Sequence, residues 1–291
     1  MKVGISSPIG LYEKALPAEL AWVERLKAAA EAGYDYVEIS IDESDSRLAR
    51  LDWSVAERKE LLEAVDRTGV PVFSMCLSAH RKYPLGSASA EIRKRGMEIL
   101  RKSIEFAASV GLRIIQVCGY DTFYEPSNAE SQARFTGGLR RGVEWASQAG
   151  VMLGLENVDA PFLESIERAL RVVNEIDSPW LQLYADIGNL VAAGYHPPAE
   201  LKLAEKHLIG VHVKDALPGC LRGVGFQKGN VPFEQTFDAL SDMGFCGPFT
   251  VEMWAELIDD VDPCETVKVA RMFVGRLIDR KSKNSLESRG A

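Results

Sequence analysis

The sequence predicts an α/β protein, a single (β/α)8 TIM-barrel domain spanning residues 1–291, and three observations carry that expectation. A helical stretch, a glycine and a short β-rich apolar run ending in polar residues recur five times along the chain. With three further β-like runs, eight candidate strands alternate with eight amphipathic helical patterns, one βα unit every ~35 to 40 residues. No G-x-G-x-x-G follows the first strand, so the open doubly wound sheet lacks its usual signature.

The first strand is read at Val3-Gly4-Ile5-Ser6, followed by a helical pattern at 17–32. Gly33 then precedes the strand Tyr36-Val37-Glu38-Ile39-Ser40, and a helix is expected over 54–68. Gly69 precedes Val72-Phe73-Ser74-Met75-Cys76, with a helix over 89–110, and Gly111 precedes Ile114-Ile115-Gln116-Val117-Cys118, with a helix over 128–149. Gly150 introduces Met152-Leu153-Gly154-Leu155-Glu156 and a helix at 163–177. The sixth strand is Leu181-Gln182-Leu183-Tyr184-Ala185-Asp186 with a helix at 196–207, and the seventh is Ile209-Gly210-Val211-His212-Val213 with a helix at 233–243. Gly244 precedes the last strand, Phe249-Thr250-Val251-Glu252, and a closing helix at 263–280. A left-handed glycine stops each helix without a Cβ penalty and turns the chain into the next strand. Lys281 to Ala291, rich in Lys, Ser and Arg, reads as a frayed tail.

Composition narrows the function. With 34 Lys and Arg against 42 Asp and Glu, the net charge of −8 argues against nucleic acid as a partner. No stretch approaches the ~20 apolar residues of a membrane helix, and Met1 to Gly10 lacks the pattern of a secretory signal, so no membrane partner and a cytoplasmic location are expected. The five cysteines are odd in number, widely spaced and free of any C-x-x-C pair, which points to reduced, mostly buried thiols.

In a parallel barrel the reactive groups sit where the strands end. Those ends carry Glu156, Asp186, His212 and Glu252, spaced 30, 26 and 40 residues apart, roughly one βα unit each. Adjacent strands lie about 4.8 Å apart, so these side chains can converge on one point. A lone acid at a strand end is commonly a cap or a surface group. Four groups that each follow an apolar run are different, because a buried carboxylate without a counter-charge costs several kcal/mol and a shared cation removes that cost. Three carboxylates and an imidazole suit one divalent cation, Mn²⁺, Zn²⁺, Co²⁺ or Mg²⁺.

The segments Leu155-Glu156-Asn157, Tyr184-Ala185-Asp186-Ile187-Gly188-Asn189, Val211-His212-Val213-Lys214-Asp215 and Val251-Glu252-Met253-Trp254 resemble the motifs of the xylose-isomerase-like TIM barrels. More narrowly, Leu11 to Leu16, Asp42 to Asp45, Arg47 to Trp53, Ser74 to Arg81 and Cys246-Gly247-Pro248 resemble the L-ribulose-5-phosphate 3-epimerases, also called L-xylulose-5-phosphate 3-epimerases, and the resemblance runs from about residue 3 to 275. It implies one divalent metal on Glu156, Asp186, His212 and Glu252, holding O2 and O3 of a ketose phosphate. Glu156 and Glu252 would be the acid and base that invert C3 through a cis-enediolate. The sequence departs from the family at Gly225-Phe226-Gln227-Lys228-Gly229, where Lys228 replaces the family's acid; that bears on the sugar, not on the metal.

A phosphorylated sugar needs cations at the barrel mouth. Lys14 and the run His80-Arg81-Lys82 are the nearest candidates, with Arg222 farther along, although such residues are usually just solvated. Lys214 is placed to neutralise an enediolate or orient a ligand, or else to form an ion pair with Asp215 or another acid. Asn189 is placed to contact a sugar hydroxyl or to cap a helix, and Tyr12 and Trp254 to wall the pocket. Alternatives of related chemistry are a 3-epimerase of an unphosphorylated ketose and an aldose–ketose isomerase; from another class comes a non-catalytic sugar-binding barrel. A homodimer through outer helices is also expected.

Overall fold

A computed structural model describes residues 7–204, 206–257 and 262–287, with side chains described up to residue 279. Eight parallel strands close into a barrel in sequence order: β1 (Ile9–Tyr12), β2 (Tyr36–Ile41), β3 (Val72–Leu77), β4 (Ile114–Cys118), β5 (Met152–Glu156), β6 (Leu181–Asp186), β7 (Leu208–Val213) and β8 (Phe249–Val251). Closure is the pairing of β8 with β1, Gly10 lying opposite Thr250. The helices are α1 (Trp22–Glu31), α2 (Asp45–Leu48), α3 (Val55–Thr68), α4 (Ala90–Val110), α5 (Ala129–Ala149), α6 (Ile166–Ile176), α7 (Ile187–Ala192), α8 (Pro197–Leu203), α9 (Phe233–Asp242) and α10 (Pro263–Glu287).

Helix ends follow from local chemistry. The Ser54, Ser89, Asn128 and Ser165 side chains accept hydrogen bonds from the first-turn amides of α3, α4, α5 and α6. The five glycines read as stops, Gly33, Gly69, Gly111, Gly150 and Gly244, all have φ between 69° and 83°.

Because successive strand residues face opposite ways, each strand has an outer and an inner set. The outer set (Leu11, Val37, Ile39, Met75, Ile115, Val117, Leu153, Leu155, Leu183, Val211 and Val251) is fully buried under the helices. The inner set is largely polar: Glu38, Ser74, Gln116, Glu156, Asp186, His212 and Thr250, joined by Tyr36 and Tyr184. The two tyrosine hydroxyls meet on Thr250 Oγ1, each at 2.8 Å. Their rings fit because neighbouring strands carry glycine: a Cβ on Gly10 would lie 2.1 Å from the Tyr36 ring, and one on Gly210 would lie 2.4 Å from Tyr184.

Seven expected strands are found, with bounds shifted by a residue at most. The expected first strand, Val3 to Ser6, lies outside the described residues, and β1 is instead Ile9–Tyr12. Pro8 and Gly10 make that segment look like a loop, whereas the glycine is there to admit the Tyr36 ring. The helix expected at 196–207 is α8, which opens on a proline pair and ends at Leu203, and a further short helix, α7, precedes it. Of the tail expected to fray, residues 281–287 continue α10, and 288–291 lie outside the described residues. All five cysteines are free, but only Cys76 and Cys118 are buried, while Cys220 and Cys246 are exposed. Among the described residues no helix is long and apolar enough to cross a membrane.

Candidate metal centre and active site

Four strand ends build the site. Glu156 closes β5, Asp186 closes β6, His212 is the penultimate residue of β7, and Glu252 directly follows β8. All four are buried, His212 and Asp186 completely. His212 Nδ1 lies 3.0 Å from Glu156 Oε1 and 3.9 Å from both Asp186 Oδ2 and Glu252 Oε2. Glu156, Asp186 and His212 each offer one ligand atom within 4.8 Å of the others.

The flanking motif residues hold this arrangement. Asn157 clamps the Asp186 backbone, accepting from its N–H at 2.8 Å and donating to its carbonyl at 3.0 Å. Asp186 Oδ1 caps α7 by accepting from the Asn189 amide at 2.8 Å, which turns Oδ2 towards His212 and Lys214. Gly188 leaves room for the Lys214 stem, since a Cβ there would lie 2.4 Å from Lys214 Cγ. The Lys214 ammonium stands 2.6 Å from Asp186 Oδ2 and 2.7 Å from Glu252 Oε2. Glu156 Oε2 accepts from the Gln116 amide and from the Cys118 thiol.

Burial and charge act against each other here. Burial raises the Asp186 carboxyl to about 7 despite the pull of Lys214. At Glu252 burial also acts upward, but Lys214 and His212 outweigh it and hold the carboxyl down at about 2. Burial would lower both His212 and Lys214, yet the surrounding carboxylates push both up. Four carboxylates, Glu156, Asp186, Glu252 and Glu38 behind the ring, thus share His212 and Lys214 as counter-charges, and Asp186 Oδ2 makes its ion pair outside hydrogen-bond geometry. A buried O/N donor set of this charge fits a divalent cation.

Above the four groups opens a cavity of about 280 Å³ lined by Tyr12, Lys14, Cys76, Ser78, Arg81, Cys118, Tyr120, Asn189, Lys214, Leu221, Arg222, Trp254, Leu257 and the glutamates Glu156, Glu252 and Glu256. Of the expected contacts, Lys14, Arg81, Asn189 and Lys214 reach it, as do Tyr12 and Trp254. Lys14 pairs with Asp42, whereas Arg81 donates to the Tyr120 hydroxyl at 3.2 Å and lies over its ring. Asn189 donates to the Asn157 carbonyl and keeps its own Oδ1 without a partner. Asp186, not Asn189, caps the following helix. Lys214 pairs with Asp186 and Glu252, not with Asp215, which accepts from loop amides at Gly229 and Val231.

His80 is corrected: it does not line the cavity. Its ring is fully buried, with Nε2 3.2 Å from the Gly96 carbonyl of α4, because the short helical turn at Ala79–Arg81 sends Ala79 and His80 into the core and Arg81 to the mouth. Lys228 lines a groove against α10 that adjoins the central cavity and shares Lys214, Arg222, Glu252 and Trp254 with it.

Glu38 and Gln116 were not singled out in the sequence. Glu38 Oε1 lies 2.7 Å from His212 Nε2, and Gln116 braces Glu156. The available signal was an acid and an amide at inward positions of strands whose outward positions are all Val or Ile.

The family profile of xylose isomerase-like TIM barrels matches residues 26–272. Among known relatives, the L-ribulose-5-phosphate 3-epimerase UlaE of Salmonella paratyphi A is 48% identical over 267 residues, covering 92% of this chain and 93% of that protein. The protein of the same name from Escherichia coli matches to the same extent, 48% over 92% and 93%. Among solved structures, an L-ribulose 3-epimerase superposes with a TM-score of 0.80 at 22% identity, covering 98% of each chain. A D-allulose 3-epimerase from Methylomonas sp. in complex with D-allulose gives 0.79 at 21%, covering 93% of this chain and 97% of that one. At those identities the two structures share the fold.

Proposed function

The chain belongs to the xylose isomerase-like TIM barrel family, and from that premise we propose that it is a metal-dependent epimerase interconverting L-ribulose 5-phosphate and L-xylulose 5-phosphate at C3. The observation that carries this reading is the 48% identity over 92% of the chain with L-ribulose-5-phosphate 3-epimerases. The two buried glutamates on either side of His212 supply its chemistry.

Glu156, Asp186, His212 and Glu252 would hold one divalent cation, with Mn²⁺, Co²⁺, Zn²⁺ and Mg²⁺ all compatible with the donors. When bound, that cation supplies Lewis-acid polarisation of the C2 carbonyl, which acidifies the C3 proton. Inverting C3 through a planar cis-enediolate requires a base on one face and an acid on the other. Glu156 and Glu252 rise from β5 and β8, separated by β6 and β7, so one takes the C3 proton and the other returns a proton to the opposite face. Their surroundings differ. Glu252 bears on a fixed ammonium, Lys214, while Glu156 bears on the His212 ring through Oε1 and on the neutral donors of Gln116 and Cys118 through Oε2. Lys214 is buried, so its charge acts in a site where water screens little and it steadies the enediolate as negative charge develops. Arg81, Arg222 and Lys14 give the cavity wall the cations a phosphate needs. A reducing, cytoplasmic setting belongs to the same reading, supported by the unpaired cysteines.

The test compares L-ribulose 5-phosphate with L-ribulose in metal-reconstituted and EDTA-treated protein. Formation of L-xylulose 5-phosphate, abolished by EDTA and far slower with the free sugar, is expected. Equal turnover of the free ketose would move the assignment to an unphosphorylated substrate, and an aldose product would move it to isomerisation.

A further inference from the structure

We propose that Glu38 is a positioning residue for the metal centre: from the floor of the barrel it holds the His212 ring by Nε2 and so presents Nδ1 to Glu156, Asp186 and Glu252. This rests on the metal-centre reading given above. Glu38 sits in the middle of β2, on the far side of the barrel from β7, and is completely buried. It does not line the cavity, so it serves neither substrate nor solvent.

Both of its oxygens are used. Oε1 lies 2.7 Å from His212 Nε2, and Oε2 accepts from the Ser74 hydroxyl at 2.7 Å and the Tyr184 hydroxyl at 3.2 Å. A carboxylate has only acceptor sites, so it keeps a proton on Nε2. An imidazole with its proton on Nε2 has its lone pair on Nδ1, the nitrogen that faces the three carboxylates of the ligand set. The Tyr184 ring packs edge-on against His212 with centroids 4.9 Å apart, closing off rotation of the ring. Such a carboxylate behind a ligating histidine fixes its tautomer and raises its basicity, and its loss typically weakens metal affinity 10- to 100-fold.

The experiment measures Zn²⁺ affinity by chelator competition and the His212 ring by ¹⁵N NMR of the Zn²⁺-loaded full chain, in wild type, Glu38→Gln, Glu38→Asp and Tyr36→Phe. Tyr36→Phe removes a buried hydroxyl from the same interior layer, one bonded to Thr250 and not to His212 or Glu38. The expected result is a protonated, strongly hydrogen-bonded Nε2 and a proton-free Nδ1 in wild type. Glu38→Gln should weaken Zn²⁺ binding about 10- to 100-fold and shift the Nε2 proton upfield. Glu38→Asp should recover part of the affinity, and Tyr36→Phe should leave it within about threefold while lowering thermal stability. Zn²⁺ affinity in Glu38→Gln within threefold of wild type, or a proton on Nδ1 in wild type, would overturn the role of Glu38. Wild type that binds no Zn²⁺ would overturn the metal-centre reading and this inference with it, an outcome read from wild type alone.

Discussion

Lys214 shows how closely single side chains are balanced in this centre. Its ammonium stands between Asp186 and Glu252, and only a glycine at 188 leaves room for its stem. Lys214→Met strips the counter-charge from two buried carboxylates and should destabilise the metal-free protein by about 3 to 5 kcal/mol, with added Mn²⁺ restoring part of the loss. Urea midpoints in EDTA and in Mn²⁺ read both effects; no loss in EDTA would mean that the ammonium is not the counter-charge. For Glu156→Gln, which keeps shape but removes one of the two proposed proton-transfer carboxylates, kcat should fall about 10²- to 10⁴-fold. His80 carries a different expectation because it is core and not substrate contact. Burial pushes its imidazole down to about 4, below the ordinary ~6.5 of the unfolded chain. Its contribution is therefore fully present above pH ~6.5 and is lost as pH falls towards 4, by up to roughly 3 kcal/mol. His80→Gln should flatten the pH dependence of unfolding over that window, and an unchanged slope would count against a neutral buried ring. At this scale the four ligand candidates were legible, since each ends an apolar run in consecutive strands. His80 was not, because sequence does not say which face of a one-turn helix meets the cavity.

Among the elements, the inner glycines of the strands carry a role that local sequence hides. Gly10 and Gly210 look like strand weakeners, yet each faces a tyrosine ring that crosses the barrel interior. Tyr36 and Tyr184 are buried on all sides and cannot swing away. Gly10→Ala should therefore overpack the interior and cost about 1 to 3 kcal/mol, with Tyr36→Leu in the same chain recovering much of it. Calorimetry of the single and double variants checks this, and additive losses would contradict direct contact between positions 10 and 36. The same contact explains why β1 was misplaced: its Gly-Leu-Tyr run gains its strand character from a partner 26 residues away. The left-handed glycines behind five strands were legible because a helix stop is a local event.

Over the whole molecule, closure of the barrel is what assembles the centre. It brings Glu38 of β2 opposite His212 of β7, a pairing 174 residues apart that no periodicity announces. The fold was legible because each βα unit repeats one local pattern; the inner polar layer was not, because it exists only once the eighth strand meets the first. A metal bound to the proposed centre would be linked to global stability. Saturating Mn²⁺ at about 100 times Kd should add about 2.7 kcal/mol, seen as a rise of several degrees in melting temperature that EDTA reverses. The most direct test of the proposed chemistry is NMR of L-ribulose 5-phosphate in D₂O with metal-loaded protein, beside Glu156→Gln and an EDTA control. Deuterium appearing at C3 together with L-xylulose 5-phosphate, lost in both comparisons, is the expected result. An unexchanged C3 proton in wild type, or deuterium at C1 with an aldose product, would contradict it.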